Sequence, residues 1–149
     1  MHQAILLSDD NMLKGRAPFG AVIVKDGEVV ATGENRVWAD TDPTAHAEVT
    51  AIRIAARKLG TFDLSGCEIY TSCEPCPMCL AAIYWAKIEK IYYGNTSAEA
   101  EEAGFDDTFI YQQLTATENV RKVQAERLLQ EEALAVFKKW KSLDIRNEY

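Results

Sequence analysis

Residues 67–94 read CEIYTSCEPCPMCLAAIYWAKIEKIYYG. The opening CEIYTS, Cys67–Ser72, is rich in β-branched and aromatic side chains and is expected to form a buried strand. Pro75 and Pro77 follow, and proline is welcome in the first turn of a helix, so CPMCLAAIYWAKI is expected to be helical. KIYYG then reads as another strand. Strand, helix and strand in so short a stretch make a right-handed crossover between parallel neighbours.

Outward from this unit, GAVIVKDGEVVATG (residues 20–33) has two β-rich runs around Asp26-Gly27, a hairpin pattern. After a polar stretch from Glu34 to Pro43, a helix is expected over about 44–59, capped by Asp42 or Thr44, with Pro43 near its first position and Gly60 as its stop. A short helix is expected over 4–14 and a further strand over 120–127. Leu129, Ala133, Val136, Phe137 and Trp140 fall at helical spacing, which predicts an amphipathic helix over 129–142. The order α-β-β-α-β-α-β followed by helix predicts an α/β fold, a three-layer α/β/α sandwich around a mixed sheet of about five strands. The 149 residues are expected to form one domain, with 143–149 as a C-terminal tail.

Composition narrows the partners. No apolar run approaches the roughly 20 residues that a membrane helix needs. The N-terminus lacks a basic segment followed by a long apolar one, so a secreted protein is not expected. A net charge of −7 gives little help toward phosphate neutralisation, which argues against a nucleic-acid partner. Four cysteines in such a chain point to a reducing, cytoplasmic setting, where clustered thiols bind metal or do chemistry more often than they pair.

Cys76 and Cys79 are three apart at an expected helix start, so both thiols can turn toward one atom. The positive end of a helix favours their thiolate forms. Of the two histidines, His2 sits at the terminus, whereas His46 lies in DPTAHAEVTAI at another helix start. His46, Cys76 and Cys79 would supply three ligands and leave the fourth tetrahedral position to water, the open geometry of a catalytic zinc site. One Zn2+ per chain, with a bound water, is therefore expected. Glu48 projects onto the apolar stripe Ala45, Val49, Ile52, Ala55, Ala56 and Leu59 and has no local basic partner. Burial of such a carboxylate is costly unless it has a task, and a metal-activated water provides one. His46 and Glu48 lie about 200° apart on an ideal helix, so both reach one site only if His46 stands at the helix mouth.

The paired elements HAE (46–48) and PCPMC (75–79) resemble the signature of the cytidine deaminase superfamily, zinc-dependent deaminases of nucleobases and nucleosides. The resemblance runs from PFGAVIVKDGEVVATG through TAHAEVTAI and YTSCEPCPMC to IYYG. Within the superfamily, GENRV around Asn35, the run EEAGFDDTFIY and the terminal NEY are similar to guanine deaminases. This implies hydrolysis of guanine to xanthine and ammonia, with Glu48 as proton shuttle and Asp107 as a second catalytic acid or base-holding group. Asn35, Phe19, Ala45 and Tyr149 would contact the base. The resemblance also implies a homodimer, with the C-terminal tail exchanged between subunits or closing its own site.

Other readings of these residues compete. A tRNA adenosine deaminase or a cytosine or cytidine deaminase would use the same zinc site. A zinc-stapled interaction module would recruit Cys73 or Cys67 as a fourth ligand and leave Glu48 without a role. Asn35 also suits a turn, Phe19 and Trp85 suit the core, and Asp106 and Asp107 suit a solvated turn or a helix cap.

Overall fold

The alternation of small and branched side chains along the hairpin dictates its two faces. Strand β1 (Gly20–Lys25) pairs antiparallel with β2 (Glu28–Glu34) and, on its other edge, with β3 (Cys67–Cys73). Strand β4 (Lys90–Asn95) pairs parallel with β3, as the crossover reading requires. The order β2-β1-β3-β4 makes a mixed sheet of four strands. The turn between β1 and β2 places Asp26 at φ 51° and Gly27 at φ 79°, the left-handed pair that tight hairpins favour. This computed structural model describes residues 1–145.

The chain forms two compact units, Met1–Ile110 and the stretch from Tyr111 onward. In the first, Ala21, Ile23, Ala31 and Ile69 point to one face of the sheet and form the core with Ala47, Ala51 and Ala55 of helix α3 (Ala47–Leu59). Ile83 of helix α4 (Pro77–Trp85) joins this core, as do Leu64, Ala86 and Ile88. The fit is close: a Cβ on Gly33 would run into the carbonyl oxygen of Ala47. Helix α1 (His2–Leu13) packs against β1, and a Cβ on Gly20, one pleat away from Gly33's partner Ala21, would strike the carbonyl of Ala4. Helices on opposite faces of one sheet give the expected three layers. A short helix α2 (Val37–Asp40) follows β2.

Four expectations need correction. Helix α3 begins at Ala47 rather than 44, because Asp42 spends its carboxylate on a turn, accepting from Thr44 N at 2.8 Å and Thr44 Oγ1 at 2.7 Å. Its buried stripe is Ala47, Glu48, Ala51 and Ala55, and Leu59 is exposed. No fifth strand forms over 120–127: a single 3-10 turn at Glu118–Val120 is followed by irregular chain. Val120 and Val123 are exposed there, so nothing rewards a β pleat. Trp85 is 67% exposed and therefore not core.

Beyond β4 come α5 (Ser97–Glu102), α6 (Thr108–Thr115) and α7 (Gln130–Lys141). Helix α5 opens with a capping box, Thr96 Oγ1 accepting from Glu99 N and the Glu99 carboxylate accepting from Thr96 N. Helix α7 matches the amphipathic helix expected over 129–142, and its apolar residues Val136 and Phe137 are 65% and 68% exposed.

Candidate active site

Two helix mouths meet just past the carboxyl end of β3. His46 is the N-cap of α3, with extended backbone at φ −67° and ψ 160°. Cys76 is the N-cap of α4, at φ −61° and ψ 167°, and Pro77 fills the first helical position behind it. The extended His46 backbone removes the angular conflict with Glu48. The imidazole leaves the helix before the helical twist begins, while Glu48 projects from the first turn.

His46 Nδ1 lies 3.5 Å from both Cys76 Sγ and Cys79 Sγ. The three ligand atoms lie within 4.8 Å of one another. Zinc bonds of about 2.3 Å to sulfur and about 2.0–2.1 Å to nitrogen, set at tetrahedral angles, require an N···S separation of about 3.5 Å. The residues therefore fit a zinc ion in distance and in chemistry, one imidazole and two thiolates. Cys73 and Cys67 do not join this cluster, although both are buried free thiols. Cys73 Sγ instead donates to the Thr96 carbonyl at 3.6 Å.

The site is electrically tense. The Cys79 thiol beside Cys76, together with His46, pulls the Cys76 thiol down to about 4, against the opposing effect of burial. Cys79 is pushed above the ordinary thiol range by the Cys76 thiolate, by burial and by Glu48. The pair thus gives up one proton readily from the half-buried helix cap and holds the other, until a cation repays the second charge. His46 is raised by its contact with Cys76. Glu48 is only 8% exposed, and burial raises its carboxyl above the usual range. Its Oε2 accepts from Cys79 Sγ at 3.4 Å.

A cleft of about 380 Å³ opens over this cluster. Of the sequence-predicted residues, Phe19, Asn35, His46, Cys76, Asp106 and Asp107 line it. Asn35 is 5% exposed at the cleft wall, and its Oδ1 accepts from Val37 N at 3.2 Å. Asp106 and Asp107 separate in role. Asp106 Oδ1 accepts from Thr108 N at 2.7 Å and so caps α6. Asp107 is half-buried, and burial followed by the Cys76 charge raises its carboxyl. Ala45 is buried below the wall, not in it, and its carbonyl accepts from Arg36 N at 2.8 Å to tie the Asn35 segment to the His46 segment. Tyr149 lies outside the described residues.

Sequence reasoning missed two aromatic wall residues. Phe105 meets Phe19 edge to face, with centroids 4.9 Å apart. Trp38 stands 82% exposed on the rim. A tryptophan three residues after Asn35, in an otherwise polar stretch, was the available signal for the second. Another cleft, of about 420 Å³, lies at the far end of the strands around Asp26, Gly66 and Lys90, and neither cysteine nor histidine lines it.

Comparison with known proteins agrees with this geometry. Residues 1–95 match the pattern of the cytidine and deoxycytidylate deaminase zinc-binding region. Guanine deaminase of Bacillus subtilis (strain 168) is 45% identical over 150 aligned positions, covering 100% of this chain and 96% of that one. A solved structure of guanine deaminase from Bacillus subtilis superimposes with a TM-score of 0.96 at 46% identity, covering 99% of this chain and 95% of that chain. The tRNA-specific adenosine deaminase of Aquifex aeolicus is 49% identical over 80 residues, which is 54% of this chain and 53% of that protein. The sequence pattern, the full-length likeness and the His46, Cys76 and Cys79 cluster agree that the chain belongs to the zinc-binding cytidine and deoxycytidylate deaminase family.

Proposed function

We propose that the protein is a zinc-dependent aminohydrolase that converts guanine and water to xanthine and ammonia. The observation that carries this reading is the extent of the likeness to the Bacillus guanine deaminase. It continues past the zinc-binding region through residues 96–149, where the GFDDTFIY segment supplies Asp107 and part of the cleft wall.

His46, Cys76 and Cys79 hold the metal in this reading. A zinc ion so held acts as a Lewis acid and brings the pKa of its water to about 7. Glu48 has the burial and the raised carboxyl of a group that takes a proton from the attacking water and returns it to the purine ring nitrogen. The new C–O bond forms at the ring carbon bearing the amine. Glu48 then takes the second proton from the new hydroxyl as the carbonyl forms, and that proton, passed to the amine directly or by way of Asp107, lets the C–N bond break and ammonia leave. Asn35 Nδ2 donates to an acceptor on the base edge. Phe19 and Phe105, packed edge to face on each other, wall one side of the base and exclude water. Ala45 supports the wall through its carbonyl.

A homodimer accompanies this function. The exposed apolar side chains of α7, with Leu143 at 43% and Ile145 at 86% exposure, support burial against a second subunit. The tail 143–149, including Tyr149, closes a site of its own or of the partner. Single-domain organisation over 1–149 belongs to the same proposal. The four free cysteines suit a cytoplasmic location, and no described helix is long and apolar enough to cross a membrane.

Ammonia release from a panel of guanine, guanosine, adenine, cytosine, cytidine and tRNA tests the reading. Guanine should be turned over fastest; a preference for tRNA or for a cytosine compound would overturn it.

A further inference from the structure

Helix α1 carries two polar side chains, Ser8 and Asn11, one turn apart on the face that meets the cleft wall. Ser8 Oγ donates to the carbonyl of Pro18. Asn11 is completely buried, and its Nδ2 donates to the carbonyl of Ala17 at 2.8 Å and to the carbonyl of Asn35 at 2.9 Å. Both protons of one amide are thereby spent on the two backbone segments that present Phe19 and Asn35. The segments are also joined directly, Asn35 N donating to the Phe19 carbonyl at 3.1 Å.

Asn11 makes this clamp at a cost. Its Oδ1 is buried without a hydrogen-bond partner among the described residues. An apolar side chain of similar size would avoid an unsatisfied buried acceptor. Such a side chain would also leave the carbonyl of Asn35 without its donor, so what the amide contributes is the tie between the two wall segments.

We propose that Asn11 is a positioning residue for base recognition: it fixes the Asn35 backbone against the Ala17–Phe19 segment, so that the Asn35 amide meets the substrate in register. The proposal rests on Asn35 reading the base. Asn11 itself touches no substrate and acts only through Asn35.

A double-mutant cycle on the zinc-loaded enzyme tests it, using N11L, N35A and the double variant, with zinc content measured alongside. In the wild-type background N11L should lower kcat/KM for guanine by on the order of 10–10²-fold, the penalty for roughly 1 Å of misplacement, with most of the loss in KM. In the N35A background the same substitution should change kcat/KM by less than about twofold. N11S, which keeps one donor, should recover part of the loss. It also replaces N11L in the cycle if that variant fails to fold. Where N35A turns over too slowly, equilibrium binding of xanthine replaces KM. Equal losses in both backgrounds, or an unchanged KM in a fully zinc-loaded N11L enzyme, would overturn the proposal. If the wild type prefers another base, the guanine reading fails, and the same cycle run on that base still decides the role of Asn11.

Discussion

Cys79 Sγ and Glu48 Oε2 stand 3.4 Å apart, both buried, at the point where the first turns of α3 and α4 meet. In the proposed reading one of the two is a soft metal ligand and the other a hard proton carrier, and the carboxylate sits beside the candidate metal cluster without being part of it.

Glu48→Gln should therefore separate binding from chemistry. The amide keeps the volume and the buried position but carries no exchangeable carboxyl proton. Zinc content should stay at one per chain while kcat falls by about 10²–10⁴-fold, the usual worth of general acid–base catalysis. Full activity with zinc retained would remove Glu48 from the mechanism.

The thiols should be distinguishable by alkylation of the zinc-stripped protein. With Cys76 held at about 4 and Cys73 pushed up to about 11, Cys76 is thiolate at pH 6 and Cys73 is thiol. Iodoacetamide at pH 6, read by peptide mass, should modify Cys76 first. The depressed Cys76 value also means that protons compete with metal only as pH falls toward it, whereas the raised Cys79 proton must be displaced whenever zinc binds. Correspondingly, Cys76→Ala should lose the metal, and Cys73→Ala should retain it.

The neighbouring acids predict opposite phenotypes. Asp106→Ala removes the cap on Thr108 N and should cost about 1 kcal/mol of stability, with turnover nearly intact. Asp107→Asn removes a half-buried carboxylate from the cleft and should lower kcat by about 10²-fold at unchanged stability, the lower end expected when one proton-transfer group is lost. Thermal melting beside steady-state kinetics distinguishes the two.

On the proposal that the tail closes a site, deletion of residues 143–149 should leave zinc bound and the first unit folded, yet sharply reduce guanine turnover. Sedimentation of the intact and shortened chains at micromolar concentration should show a dimer for the former. A 16.7 kDa species alone would count against the assembly.

The cluster of His46, Cys76 and Cys79 was legible because its chemistry restricts residue type: few side chains hold zinc, and their spacing follows from helix ends. The hairpin was legible for a similar reason, since Asp26-Gly27 tolerates positive φ where most residues do not. The first residue of α3 was not legible. Asp42, Thr44 and His46 can each end an extended segment, and only tertiary contact decides that Asp42 serves a turn and His46 the cap. The missing strand over 120–127 has the same origin, because β propensity expresses itself only where a neighbouring edge and a buried face are available. Asn11 carried no local sign at all. A lone amide in a weakly patterned helix reads as solvated, and its two acceptors, Ala17 and Asn35, are distant from it in sequence or outside its helix.

The contact between Gly33 and the Ala47 carbonyl works as a gauge block for the metal centre. Ala47 directly follows His46, so the close approach that a missing methyl group permits here lies one residue from the imidazole. A single added carbon at position 33 would force the start of α3 to shift, and the expected result is weaker zinc binding, measured by zinc content of Gly33→Ala beside the wild type. Searches for altered metal affinity should therefore include this strand glycine along with the side chains of the candidate cluster.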